Sequence, residues 1–199
     1  MPDDQAVGKA RYISKVTRFT LPGLVSRWLL LTYRLPSGES RERVAVWREV
    51  RRSGALHLQQ SVVAFPDVES FGTAVERLRA AVSELGGHTL VLRGEPVAEA
   101  DRERLEHAWE EARSAEYGEL ISECEKYLVE IEHEFEIEKF TLAELDEEEA
   151  EFEKLQRWRE RIRARDVFGS PTAAAADAAI ERVAEAFARY SQAVFEHTR

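Results

Sequence analysis

The sequence has one cysteine, Cys124, and one methionine, at position 1. A lone thiol cannot close a disulfide within the chain or build a cysteine-only metal site, and such usage fits a reducing compartment. The expected location is therefore cytoplasmic. Long apolar runs are also missing. The richest, "WLLLTY" at 28–33, is far shorter than the roughly 20 apolar residues a membrane helix needs. No apolar leader stretch precedes it, so neither a signal peptide nor a membrane partner is expected. There is no phosphate-cradling Walker loop, no Gly-x-Ser-x-Gly elbow and no Cys–His pairing. The histidines show no ligand spacing apart from Glu130-x-x-His133. That spacing serves carboxylate-bridged metal sites in bundles only when a second copy and two further carboxylates accompany it. No second copy occurs. No catalytic residue, metal or cofactor is assigned, and the chain is expected not to be an enzyme.

What is present is charge, unevenly spread. The formal net charge is -10 over 199 residues. Counting along the sequence, residues 1–100 carry 14 Lys/Arg against 11 Asp/Glu, and residues 101–199 carry 14 against 27. The first half is thus basic by about +3 and the second acidic by about -13. Six arginines fall within "RLPSGESRERVAVWREVRR" at 34–52. An acidic average does not exclude a polyanion partner, because the local field over the contacting surface decides.

Residues 1–26 read as a basic, partly disordered arm. "WLLLTYRLP" (28–36) is apolar at both parities, as in a strand covered on both faces. "SGESRERVAVWREVRRSGA" reads as a helix with Ser37 or Ser40 as N-cap and Gly54 as its stop. Val44, Val46, Trp47 and Val50 cluster on one side, with Arg41, Arg48 and Arg52 opposite. "LHLQQSVVAFP" (56–66) is two short strands or one bent one. Phe71, Val75, Leu78, Val82 and Leu85 give a second amphipathic helix over 70–87, and "HTLVLRGEP" (88–96) a last strand. This order predicts an α+β protein: a ferredoxin-like βαβ(β)αβ sandwich over 27–97. A bundle of about three helices is expected over 98–199.

In that second half, Asp101 is a candidate helix cap. Tyr117, Ile121, Cys124, Leu128, Ile131 and Phe135 keep a 4-3-4-3-4 seam. "YLVEIEHEFEIEK" also alternates with period two, but the longer seam and the glutamates favour helix. "TLAE" (141–144) is a capping box, Gly169 a stop, and Ser170-Pro171 the start of the last helix. The bundle is the expected lid for the bare face of the sheet, or a dimer seam.

Two stretches carry a family resemblance. "WLLLTYRLPSGESRERVAVWREVRRSGALHLQQSVVAFP" and "EYGELISECEKYLVEIEHEFEIEKFTLAELDEEEAEFEKLQRWRERIRARDVFGSP" resemble the N-terminal region of ChrB, a regulator of bacterial chromate resistance. The resemblance runs from Trp28 onward. It implies a DNA-binding transcriptional regulator linked to chromate or another oxyanion. Full-length members of that family continue into a second domain thought to handle chromate. The first half is also similar to a wider group that includes PaaX-type repressors and the small CRISPR-adaptation nucleases. Those nucleases place a metal-binding Asp where Arg34 stands here, and a guanidinium cannot ligate Mg²⁺.

The candidate DNA- or anion-binding residues are Arg34, Arg41, Arg48, Arg51 and Arg52 in the first half. Arg157, Arg161 and Arg165 form a second basic run, on an i, i+4, i+8 face. Guanidiniums suit phosphates and chromate alike. The expected partners are DNA and a second copy of the chain in a homodimer, with chromate or a related oxyanion as possible effector. The competing reading of both runs is a solvated helix face, whose ion pairs contribute little. Two alternatives compete for the function: a protein–protein module whose partner supplies the sensor domain, and a nuclease with a rearranged metal site.

Overall fold

The computed structural model describes residues 27–36 and 40–198, and the side chains from 43 onward in the first helix. The basic arm at 1–26 and Ser37 lie outside the described residues, as do the side chains of Ser40 and Arg41. Among the described residues, ten elements follow the first half's expected order and then run helical. They are β1 (Trp28–Arg34), α1 (Ser40–Ser53), β2 (Leu56–Gln59), β3 (Val62–Pro66), a 3₁₀ turn (Glu69–Phe71), α2 (Gly72–Glu84), β4 (His88–Gly94), α3 (Glu99–Glu136), α4 (Leu142–Arg163) and α5 (Ala173–His197). The chain is mixed α/β, with one four-stranded antiparallel sheet in the order β2-β3-β1-β4.

Register assigns the two faces of the sheet. Leu31 lies opposite Val63 and Val91, and Leu29 opposite Phe65. Leu31, Val63 and Phe65 are fully buried, in one core with Val46 and Val50 of α1 and Val75, Leu78 and Val82 of α2. Each such side chain contributes on the order of 1.5–3 kcal/mol by leaving water. The other face carries the rows Leu92–Leu30–Ala64 and Leu90–Thr32–Val62. Here the lid is partial. Trp28 meets Trp109 of α3 edge-on at 6.0 Å and stacks on Phe168 at 6.1 Å. That closes only the Trp28 end, and Leu90 and Leu92 stay 55% and 49% exposed. The bundle helices leave the Leu90–Leu92 part of this face uncovered. α3 touches it with its first turns and then runs on into a second core.

That second core gathers Tyr117, Leu120, Cys124, Tyr127 and Ile131 of α3 with Leu155 and Ile162 of α4 and Ile180, Val183, Tyr190 and Val194 of α5. The buried line of α3, Trp109-Arg113-Tyr117-Leu120-Cys124-Tyr127-Ile131-Glu134, keeps the 3-4 spacing of a packed helix seam. The period-two alternation at 127–139 does not make a strand. Ile121, Leu128 and Phe135 flank the seam, half-buried.

Local signals set most boundaries. Thr141 accepts a hydrogen bond from the Glu144 amide at 3.2 Å, half of the expected capping box. The other half is not made, because Glu144 pairs with Lys139 at 2.8 Å. α3 starts at Glu99, two residues before Asp101, and Asp101 sits in its first turn. Ser170 is not the cap of α5. Its hydroxyl accepts from the Thr172 amide in the turn before the helix, and Thr172 is the N-cap residue.

Candidate nucleic-acid interface

α1 holds the basic patch against the sheet by one narrow stripe. Val46 is 1% exposed and Val50 fully buried, whereas Val44 and Trp47 are 39% and 47% exposed. The expected four-residue apolar side is therefore two residues wide. Trp47 stands about 100° around the helix from Val46, past the edge of the contact with the sheet. Arg48 and Arg52 project opposite Val46 and Val50, and both are exposed.

The candidate arginines fall into three environments. Arg34, Arg48 and Arg51 are exposed, and none has a carboxylate partner among the described residues. Arg51 instead lies over the Trp47 ring, 5.1 Å from its centroid. Arg52 donates to Glu49 at 2.8 Å, one turn back on the same helix. On α4, Arg157 pairs with Glu153 at 2.8 Å, while Arg161 is exposed with no acidic partner among the described residues. Arg165 is different. It donates to Glu116 at 2.7 Å and to the carbonyl of Arg52 at 3.1 Å, and burial pulls its pKa down against the pull of Glu116. The structure thus leaves Arg48, Arg51 and Arg52 on α1, with Arg34 at the end of β1 facing the Arg43–Trp47 flank of that helix. Arg157 and Arg161 sit apart on α4, and Arg165 is committed to the protein's own groups.

Those commitments fix the C-terminal end of α1. Arg113, 2% exposed, lies 4.6 Å above the Trp109 ring and donates to the Gly54 carbonyl at 3.0 Å. It also reaches Glu116 at 3.3 Å. Burial lowers its pKa, and Glu116 opposes that shift. Two guanidiniums thus satisfy carbonyls just where a helix runs out of amide donors and carries partial negative charge. Gly54 takes a positive φ of 71° there, and a Cβ would run into the Arg165 Cδ. Arg113 had no flag in the sequence, where it reads as one more arginine of a charged helix.

The region the sequence understated is a cleft of about 430 Å³ between the flank of α1, the end of β1 and the β2–β3 turn. Tyr33, Arg34, Leu35, Arg43, Val44, Trp47, Gln60 and Ser61 line it. Ser61 closes the turn in the left-handed region, at φ 62°, and its carbonyl accepts from the Tyr33 amide at 3.0 Å. Burial pushes the Tyr33 hydroxyl up in pKa, with a hydrogen bond to Ser61 pulling the other way. Trp47 followed by Arg51 at i+4, the spacing of a helix-surface pair, was the available hint that this indole is not core.

Residues 43–199 match the family model described as protein ChrB, N-terminal. That is most of the sequence. The chain belongs to the ChrB N-terminal family. The match begins inside α1 and takes in β2 to α5, and it relates the chain to the chromate-resistance regulators. β1, with Arg34, and Arg41 precede the matched span of this ChrB region. No curated protein matches the chain. Among the described residues, no helix is long and apolar enough to cross a membrane, and no group of three or more metal-ligating side chains comes together.

Proposed function

We propose that this ChrB-family chain is a DNA-binding regulator of the chromate or oxyanion stress response, acting by binding and not by catalysis. The single observation that supports this most is the state of the arginines on α1 and at the end of β1. Among the described residues, Arg34, Arg43, Arg48 and Arg51 are exposed and have no carboxylate partner. The glutamate-rich helices spend much of their charge internally, in pairs such as Glu123–Lys126, Glu151–Lys154 and Glu153–Arg157. A local positive field therefore survives on a negative molecule, and such a field is what phosphates select. The strand order β2-β3-β1-β4, with α1 and α2 as the crossovers, supports a ferredoxin-like arrangement of this half. A homodimer belongs to this reading, since two basic helices related by a two-fold would meet two half-sites of a DNA duplex.

Duplex DNA from the chain's own promoter region, titrated at several salt concentrations by fluorescence anisotropy, tests the proposal. The log–log slope of affinity against salt falls in magnitude by about 0.9 for each phosphate contact removed. Arg48→Ala with Arg52→Ala is expected to cut it by nearly 2. No binding at about 50 mM salt, or an unchanged slope in the double variant, would overturn the proposal. Sedimentation of the free protein tests the dimer separately.

A further inference from the structure

The cleft beside α1 carries a more specific chemistry than the outer arginine stripe. Among the described residues, its wall has two exposed guanidiniums, Arg34 and Arg43, and no carboxylate. It therefore favours an anion and rejects a cation. It also has an apolar side: the half-exposed indole of Trp47 with Val44 and Leu35. Arg51 stacks on that indole but is not part of the cleft wall, so the ring is steadied from outside while it still borders the cavity. Gln60, the Ser61 hydroxyl and the Tyr33 hydroxyl supply neutral donors and acceptors. A bare oxyanion would use the arginines and leave the indole wet. An apolar ligand would strand the guanidiniums. A ligand that uses both is a planar aromatic ring carrying an anionic group, and about 430 Å³ lies within the usual size range of small-molecule sites.

We propose that this cleft binds one nucleotide unit, with the base against Trp47 and the phosphate between Arg34 and Arg43. Aromatic stacking accepts any base and contributes about 1–3 kcal/mol per base. The two guanidiniums give the phosphate charge-assisted hydrogen bonds. The left-handed Ser61 holds the opposite wall, and backbone in such a region is commonly retained where a ligand is clamped. The unit has two sources with the same chemistry: a free mononucleotide, or an unpaired nucleotide of a strand. The site does not depend on duplex binding by Arg48 and Arg52.

The test uses the full chain labelled with ¹⁵N and follows the indole Nε1 resonance of Trp47, assigned by Trp47→Phe. Among the four tryptophans, Trp28 and Trp109 are buried, which simplifies the assignment. The probes are AMP, adenosine, inorganic phosphate and a single-stranded oligo(dT) of eight residues. A saturable shift of the Trp47 resonance with AMP is expected, at least tenfold tighter than with adenosine or phosphate alone. Arg34→Gln combined with Arg43→Gln should weaken it tenfold or more. Oligo(dT) binding more than tenfold tighter than AMP, with the same resonance moving, assigns the unit to a strand; equal or weaker binding assigns it to the free nucleotide. No shift with AMP or oligo(dT) would overturn the proposal. So would an equal response to inorganic phosphate, or an unaltered response in the Arg34/Arg43 variant. Duplex DNA affinity that depends on Arg48 and Arg52 but not on Trp47 would leave the regulator reading standing without this site.

Discussion

Arg165 and Glu116 meet at 2.7 Å where the chain just past the end of α4 meets the middle of α3, and the same Arg165 reaches the carbonyl of Arg52 at the end of α1. One carboxylate, Glu116, thereby serves two guanidiniums, because Arg113 shares it from below at 3.3 Å. This small ionic cluster ties the end of α1 to the helical half.

Removing the shared carboxylate should be expensive. Glu116→Ala leaves the buried Arg113 and the largely buried Arg165 side by side, with Asp166 alone to offset the charge of Arg113. Breaking a buried pair from one side costs about 3–5 kcal/mol. Glu116 is 25% exposed in its side chain, so the expected loss is smaller, about 2–3 kcal/mol in urea unfolding. The exposed pair Arg157–Glu153 offers the contrast. Glu153→Ala should cost no more than about 1 kcal/mol. Equal effects of the two substitutions would rule out the cluster as a special joint.

A second expectation concerns pH. Glu148 is 6% exposed, with Glu130 and Glu134 on α3 and Glu144 on α4 nearby, and one of its carboxylate oxygens has no partner. Burial first, and those carboxylates second, push its pKa up from 4.5 to about 7. The folded state therefore holds a proton that the unfolded state releases at lower pH. Its stabilising contribution is full below about pH 4.5 and is lost as pH rises towards 7. Glu148→Gln keeps the neutral shape. It should raise stability at pH 8 by about 1–3 kcal/mol and change little at pH 5. Urea midpoints at the two pH values read this directly, and an equal shift at both would contradict it.

Gly87 joins α2 to β4 where there is no room for a side chain. A Cβ would stand 2.7 Å from the Arg34 carbonyl oxygen and 2.9 Å from that of Val82, both backbone atoms. Gly87→Ala should cost about 1–3 kcal/mol. Because the clash lands on Arg34, it should also weaken any anion binding at the cleft beyond the loss of stability. Gly118, on the open side of α3, has no atom within reach of a Cβ. Gly118→Ala should be neutral or stabilising by up to about 1 kcal/mol.

Ser61 tests the strained turn. A left-handed conformation costs an L-residue roughly 1–2 kcal/mol, and glycine avoids this but loses more chain entropy. Ser61→Gly should therefore stabilise the protein by a few tenths to about 1 kcal/mol in thermal unfolding. The same change removes the hydroxyl that meets Tyr33. A stabilised variant with intact ligand binding would show that the strain serves the hairpin alone.

The elements that could be read from the sequence are those with a long local period. The Val75–Leu85 spacing, the Tyr117–Phe135 seam and the Thr141 cap each state a helix in residues close along the chain. Trp47 misled because an arginine-rich helix on a small sheet buries only a narrow stripe. Periodicity shows which side is apolar, but not how wide the contact is. The open end of the sheet at Leu90 and Leu92 was illegible for a related reason: β4 alternates like any half-covered strand, and what covers it is set by where α3 goes. Arg113 and Arg165 were hidden because their partners, Gly54 and Glu116, are distant in sequence for at least one of them. Arg34 and Arg48 were legible as cations on the surface. That Arg34 shares a wall with Trp47 was not, since it needs β1, α1 and the β2–β3 turn to meet.

The 38 residues of α3, at about 1.5 Å each, make a rod of about 57 Å. Its first turns belong to the sheet through Trp109, and its last to the other core through Ile131. A rod anchored at both ends acts as a lever. Pivoted at Ile131, a tilt of about 3° would move Trp109, about 33 Å away along the rod, by about 2 Å, and Glu116, nearer the pivot, by about 1 Å.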